Sequence, residues 1–421
     1  MANTYLTISM ITFEMLLVLH NNLVAGKKVT RTWEKQFAKT GAKIGATIQI
    51  RKPPRYVVVA GQTFVPQDYT EEYVPLTVAN HWQVGCEWAS DDLQLNMDDF
   101  SRRFLRPALV PLANQVDLDI LNNLQAQVWN FTGTPGTTAA TDTPFVDAKT
   151  ILANNAAAIS ENMPMLVTPK VSGRLSSGLA GRFNPQPSIS DIYLKGAMSD
   201  PMKGSEGHAL GWDFFSTQNQ PVMTTGAWAG ATPTVSAANQ TGTSITTTGW
   251  TASVTGLGAI NDKIQFAGAY GVNPVTFLNT GELQCFQLTA AVNSDGSGNA
   301  TLQINPPLIP NAGKNTTVTA SPANGAAVLP WGQSTVANVA SKTSPQCFGW
   351  QTEAVTLACV DLYVPEEGMG VKAIRVSDDD LGLSFVFMSG FDPRAYSKLS
   401  RVDILEGTTA TRPEHVVAVA A

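Results

Sequence analysis

Apolar positions recur every three to four residues in some stretches of this chain and alternate or cluster in short runs in others, and the two patterns predict different elements. Near the start, Ile8, Ile11, Met15, Val18 and Leu19 form one stripe and predict an amphipathic helix that docks on a neighbouring surface. From Asp98 to Trp129, Phe100, Phe104, Ala108, Leu112, Val116, Ile120, Leu124 and Val128 recur every four residues, with Leu105, Leu109 and Leu121 beside them. A helix over that stretch runs about 48 Å at 1.5 Å per residue, long enough to cross a domain. Asp98 and Asp99 fall in its first turn, where they complement the helix dipole. Pro107 and Pro111 each remove a backbone donor, so a kink is expected there, or a start near Pro107. A third helix is expected from the cap pair Thr143-Pro144, with Phe145, Ala148, Leu152, Ala156 and Ile159 on one face. Met165–Val167 then reads as a short buried strand and Val171–Phe183 as another helix.

Elsewhere the pattern is that of strands. Tyr56–Val59 and Thr63–Val65 have strand composition, punctuated by prolines at 53, 54, 66 and 75. Between residues 225 and 344 helical periodicity disappears. Short runs such as Ser244–Thr247, Lys263–Phe266, Phe286–Thr289 and Thr301–Ile304 alternate with turns, and Asn293–Gly298 is a hairpin-tip sequence. Gln351–Pro365 reads as a long strand with Val355, Leu357 and Cys359 on one face and Thr356, Ala358 and Val360 on the other. Ile374–Val376 and Leu383–Met388 follow as strands, and Val416–Ala421 closes the chain as a plain apolar run without a basic arm. The fold class is therefore α+β, with an all-β domain set into its middle.

Composition sharpens that division. At 421 residues the chain is longer than one core usually organises, so two or three domains are expected. Residues 225–344 hold six charged side chains, or 5%, against about 18% in the rest of the chain. The formal net charge of −6 argues against a dedicated nucleic-acid binder, which needs clustered Lys and Arg to displace counterions. Cys86, Cys285, Cys347 and Cys359 are far apart and never in a C-x-x-C spacing, which predicts free thiols in a reducing compartment.

Charge also divides the first hundred residues. Residues 27–55 carry nine cations against Glu34 alone, whereas residues 56–99 carry eight acids and no Lys or Arg. One reading is a hairpin whose two arms satisfy each other. The other is head-to-tail recognition, in which the acidic arm of one subunit lies on the basic arm of the next. Such a contact is heterologous and closes into rings, with complementary fields steering the docking.

Motifs that would carry chemistry are missing. His20, His81, His208 and His415 have no H-x-x-x-H partner, and no G-x-S-x-G elbow occurs. Gly313-Lys314-Asn315 lacks the leading glycine and final hydroxyl of a phosphate loop. Asp378-Asp379-Asp380 lacks the alternating geometry of a calcium loop, and a solvated turn is expected instead. The run Leu6–Leu19 contains Glu14, has no basic residue ahead of it, and is too short and polar to span a membrane. The expectation is no catalytic residue, no metal and no cofactor.

The C-terminal Thr409-Ala410-Thr411-Arg412-Pro413-Glu414 resembles the ending of podovirus coat proteins that carry an inserted β-domain. Gly211–Phe215 followed by Gln220-Pro221-Val222 resembles the strand before the insertion in that family. Asn261–Gly268 (NDKIQFAG) resembles a signature strand within it, and Ala354–Ala358 the return strand. Arg102-Arg103 and Leu112–Val116 (LANQV) are similar to the family's long helix.

The resemblance implies the capsid fold of tailed phages, the Hong Kong 97 type. It divides the chain into an N-terminal arm (1–45), an extended loop (46–95), a peripheral domain with the spine helix (96–142) and the first part of an axial domain (143–224). An inserted barrel-like β-domain (225–344), axial return strands (345–375) and a peripheral return with the C-terminus (376–421) complete it. The implied function is a structural major capsid protein, not an enzyme, that self-assembles into pentamers and hexamers of an icosahedral head. Implied partners are other copies of itself, a scaffolding protein, a portal protein and, in some shells, a decoration protein. Double-stranded DNA is enclosed without sequence-specific binding, no membrane is involved, and assembly takes place in the host cytoplasm before the protein resides in the virion. An extended loop that reaches over a neighbour favours the head-to-tail reading. Its expected contacts are Lys35, Lys39, Lys43, Arg51, Lys52 and Arg55 on the basic side and Glu71, Glu72, Asp91 and Asp92 on the acidic side. The alternatives are an encapsulin-like nanocompartment shell, which would lack the insertion, and a secreted β-rich adhesin, which would need a leader. Relatives bridge capsomers through charged loops of the insertion, and the scarcity of charge here leaves neutral contacts for that role.

Overall fold

A computed structural model describes residues 8–33, 45–62, 64–68, 71–89, 106–139, 141–159, 163–179, 207–311, 313–365, 371–378, 383–392 and 397–420. The chain forms two units. One comprises Met1–Arg51, Tyr73–Asn123 and Val355–Thr411, and the other Lys52–Glu72, Leu124–Ala354 and Arg412–Ala421.

The first unit is built on a sheet whose longest strand, Ser397–Ala410, pairs antiparallel with Leu383–Asp392, Asn80–Ala89 and Val355–Cys359, while Val371–Asp378 borders Leu383–Asp392. Phe385, Phe387, Val402 and Ile404 are buried on one face of it. Helix α1 (Ile8–Asn22) buries Met15, Val18 and Leu19 as its stripe predicts; the side chains of Ile8 and Ile11 lie outside the described ones. Helix α2 (Arg106–Gln127) buries Leu109, Leu112, Ala113, Val116, Ile120, Leu121 and Leu124. Its described part runs from Arg106, and Pro111 inside it lacks the N–H that would bond to Pro107 O, one missing bond of the helix. Asp98–Leu105 lie outside the described residues. Asn123 Nδ2 donates to Thr408 O and Thr408 Oγ1, both at 2.6 Å, tying α2 to the sheet. The buried Asp117 carboxylate accepts the backbone N–H of Val24 and of Gly26, each at 2.8 Å, and so fixes the chain leaving α1.

The second unit contains a seven-stranded sheet in the order Phe131–Thr132, Val416–Ala420, Thr343–Trp350, Met163–Val167, Trp212–Ser216, Gly207–Ala209, with Val222–Thr224 paired to the start of Thr343–Trp350. Helix α3 (Thr143–Asn154) lays Phe145, Ala148 and Leu152 on it, and α4 (Pro169–Leu179) adds Val171 and Leu175. Asp142, not Thr143, holds the N-cap position of α3, and Ala156 at φ +58° ends the turn after it. Ala156 and Ile159 therefore leave the helical face expected of them, and Ile159 is exposed.

Three strand expectations need correction. Gln351–Pro365 is not one long strand: Ala354 N–H donates to Gln351 O in a turn, and the strand is Val355–Cys359 alone. Tyr56–Val59 and the described part of Thr63–Val65 form no strand; prolines 53, 54 and 66 beside them each lack a donor for a ladder, and Val57 pairs with the Gln67 side chain instead. The closing apolar run is a buried strand, Val416–Ala420, held between Thr343–Trp350 and Phe131–Thr132.

Within the second unit, six strands form one antiparallel sheet in the order Val328–Pro330, Lys263–Phe266, Phe286–Leu288, Ala300–Leu308, Gly242–Trp250, Gly230–Val235. Its two edges meet: Thr234 bridges Ala327, and Val235 N–H donates to Ala326 O at 2.9 Å. The sheet closes into a barrel, which removes the exposed edges an open sheet would carry. Val235, Ile245, Phe266, Phe286, Leu288, Leu302, Ile304, Leu308, Trp228 and Trp250 fill it. Asn293–Gly298 is a hairpin tip as expected, with Asp295 Oδ1 accepting the N–H of Ser297 and Asn299.

Candidate assembly surface

A hairpin base in the first unit pairs Ala46–Arg51 with Tyr73–Val78, from Ala46↔Val78 to Arg51↔Tyr73. Ile50, Leu76 and Val78 pack with Ala358, Val360 and Leu405, which seats the hairpin on the main sheet. Gly407 makes that seat possible: a Cβ there would stand 2.1 Å from the backbone oxygen of Thr77. The Arg51 guanidinium lies 5.9 Å over the Tyr73 ring, a cation–π contact at the end of the ladder.

Among the described residues of Lys52–Glu72, most are exposed and none is in a strand. Gln67 substitutes for strand pairing, its Nε2 donating to Val57 O while its Oε1 accepts Val57 N–H. Val58 is 97% exposed and Phe64 87%, and Tyr56, Val59 and Val65 are exposed with them. Such a run of large apolar side chains in water is a mark of an interaction site.

The expected contact residues separate into three groups. Lys52 and Glu72 meet within the chain, with Nζ 3.9 Å from Oε2 and the Glu72 side chain 65% exposed, a pair of little intrinsic strength. Arg51, Arg55 and Glu71 lie on the same arms, at the ladder end or beyond it. Lys35, Lys39, Lys43, Asp91 and Asp92 lie outside the described residues. The intrachain reading thus holds for Lys52 and Glu72. What the sequence reading missed is the apolar tip: Val58 and Phe64 look like strand residues, and only the prolines around them signal exposure.

The inserted barrel carries a second arrangement. Asp262 is buried and accepts N–H groups from Gly226 at 2.8 Å, Ala259 at 2.9 Å and Trp331 Nε1 at 3.2 Å, so one carboxylate ties the barrel's entry to its exit. Burial pushes its pKa up to about 6 against those hydrogen bonds. Lys263 points the other way, is fully enclosed, and donates to Val128 O. Burial brings its pKa down to about 7. Gln287 Nε2 donates to Gln125 O at 2.9 Å and Ala126 O at 3.1 Å. These are the last carbonyls of α2, which an unaided helix leaves without donors. The NDKIQF segment, singled out from sequence by resemblance alone, therefore closes the barrel through Asp262 and caps α2 through Lys263.

Among the described residues no three His, Cys, Asp or Glu side chains stand together to hold a metal, and no helix is long and apolar enough to cross a membrane. A surface recess of about 510 Å³ lies on the main sheet between Gly85, Val371, Met388 and Leu399 and is mostly apolar.

A closed charge-poor barrel in one unit and a hairpin with an exposed apolar tip in the same chain suit a shell subunit. The family model described as P22 coat protein, gene protein 5, matches residues 1–419, and the chain belongs to that family. It is a structural major capsid protein of a bacteriophage, with a mixed α+β fold. No curated protein sequence matches it. Among solved structures, Mycobacterium phage Che8 is 11% identical with a TM-score of 0.43, covering 94% of this chain and 90% of its own. The capsid of Ralstonia phage GP4 is 7% identical with a TM-score of 0.41, covering 95% and 89%. The CUS-3 coat protein I-domain is 23% identical with a TM-score of 0.17, covering 23% of this chain and 92% of its own. The assignment rests on the family match.

Proposed function

We propose that Lys52–Glu72 is the grip by which one copy of this coat protein holds the next, in a shell of pentamers and hexamers that encloses double-stranded DNA. The observation that carries this is the exposure of Tyr56, Val58, Val59, Phe64 and Val65 together on one short segment. Burying such side chains against a neighbour is worth roughly 25 cal/mol per Å² of apolar surface, far more than the flanking ion pairs contribute. Arg51, Lys52 and Arg55 on one arm and Glu71 and Glu72 on the other then steer the approach, together with Lys35, Lys39, Lys43, Asp91 and Asp92.

In this reading the chain works with a scaffolding protein and a portal protein, accepts a decoration protein where one exists, and assembles in the host cytoplasm without catalysing a reaction. The arm, extended loop, peripheral, axial and inserted domains keep the boundaries set out above. A net charge of −6 suits a shell that must not grip its nucleic acid. Sedimentation and electron microscopy of the purified chain, with and without a scaffolding protein, test the reading. Megadalton particles, or monomers that become particles with scaffold, are expected; a stable small oligomer under every assembly condition overturns it.

A further inference from the structure

Glu406 is fully buried near the end of the longest strand of the first unit, and among the described residues neither of its carboxylate oxygens has a hydrogen-bond partner. An ionised carboxylate in that condition would cost several kcal/mol, and proteins avoid it by keeping the group neutral. The neighbours are unfavourable to a charge. Asp119 lies against Glu406 from α2, and Asp117 stands two positions before it on the same helix. The Asp119 carboxyl group is well supplied with donors: Oδ2 accepts Trp82 Nε1 at 2.7 Å and Asn80 Nδ2 at 3.1 Å, and Oδ1 accepts Gln115 Nε2 at 3.2 Å. Oδ1 takes that one described donor and keeps a lone pair for an acid proton. Asn80 is also the register partner of Glu406 across the sheet, so the two carboxyl groups meet at a fixed point of the ladder.

We propose that Glu406 and Asp119 share one buried proton and form a proton-operated latch between the long helix and the longest strand of the sheet. A fully buried carboxyl group cannot ionise cheaply beside a second, half-buried one, so Glu406 stays an acid and donates to Asp119. The charges around the pair do not replace the proton. Lys27, beside Asp117, is the cation on that side. Asp403, with Arg401 Nε at 2.7 Å and His81 Nε2 at 3.3 Å, belongs to the opposite face of the strand. Burial raises the Glu406 pKa well above the ordinary carboxylate range, with Asp119 adding to the rise.

The latch sits next to the hairpin's seat, because Gly407 follows Glu406 and abuts Thr77. Loss of the proton sets Glu406 against Asp119 and loosens the strand on which the hairpin rests. The sign follows from linkage. A carboxyl group whose folded pKa is raised gives stability that is complete below the unfolded pKa and is lost as pH rises through the folded one. The shell subunit should therefore weaken on the alkaline side.

Infrared spectra of the full chain at about pH 8 test this directly, since Asp117 and Asp262, both raised to about 6, are ionised there. A carboxylic-acid C=O band is expected in the wild type and should vanish in Glu406→Gln. Thermal unfolding supplies the second readout: between about pH 6 and pH 9 the wild-type midpoint should fall several degrees further than that of Glu406→Gln. If Glu406→Gln does not fold, the wild-type band alone decides. No acid band at about pH 8, or a folded Glu406→Gln with the same pH dependence as wild type, overturns the latch.

Discussion

The inserted barrel and the hairpin are both β structures of one chain, yet they solve opposite problems. The barrel closes its edges through Thr234 and Ala327, buries four aromatic rings in Trp228, Trp250, Phe266 and Phe286, and carries 5% charge over residues 225–344. The hairpin's ladder stops at Arg51↔Tyr73, and beyond it the chain exposes Val58 and Phe64 between charged arms. One element keeps its apolar surface for its own core, and the other leaves it for a second molecule. The comparison teaches that β composition alone does not say which; edge closure and the placement of prolines do.

The largest effect expected on stability comes from breaking the barrel. Phe286 is fully buried with its ring 5.5 Å from Phe266, so Phe286→Ala should cost about 3–5 kcal/mol, measured by urea unfolding. Asp262→Ala leaves the donors of Gly226, Ala259 and Trp331 without their acceptor and should cost roughly 2–4 kcal/mol by the same measurement. If it costs less than Phe286→Ala by a wide margin, the barrel is held by its core and not by this carboxylate.

A smaller effect depends on pH. Lys263 has its pKa lowered to about 7 by burial, so the folded protein gives up a proton that the unfolded chain keeps up to about 10.5. Stability should therefore rise between about pH 7 and pH 9 in the wild type relative to Lys263→Met, by roughly 1 kcal/mol per pH unit. Matched curves for the two proteins would show that Lys263 does not titrate there. The smallest stability effect belongs to the hairpin. Glu71→Lys with Glu72→Lys removes an exposed pair and should shift unfolding by less than about 1 kcal/mol.

Much of the fold was legible. The stripe of α2 was visible because Leu112, Val116, Ile120 and Leu124 repeat at helical spacing. The β character of the middle segment was visible in its loss of periodicity and charge. The fourteen-residue strand Ser397–Ala410 was not, because half of its described buried positions carry polar side chains such as Ser400, Asp403, Glu406 and Thr408. Thr343–Trp350 was hidden for a related reason: Pro345, Gln346 and Gly349 interrupt its apolar pattern, although both faces are covered. The charged arms of the hairpin could be read directly, but its apolar tip resembled a strand. The helix-capping role of Lys263 and Gln287 could not be read at all, since it depends on two segments more than 130 residues apart.

The central claim is that the hairpin joins one subunit to the next, and an assembly assay on one folded variant tests it most directly. Reversing Glu71, Glu72, Asp91 and Asp92 to Lys should leave the circular dichroism spectrum and unfolding curve of the monomer unchanged. Under conditions where the wild type forms shells, sedimentation should then find the variant as monomers. Shells of normal yield and size from that variant would contradict the account.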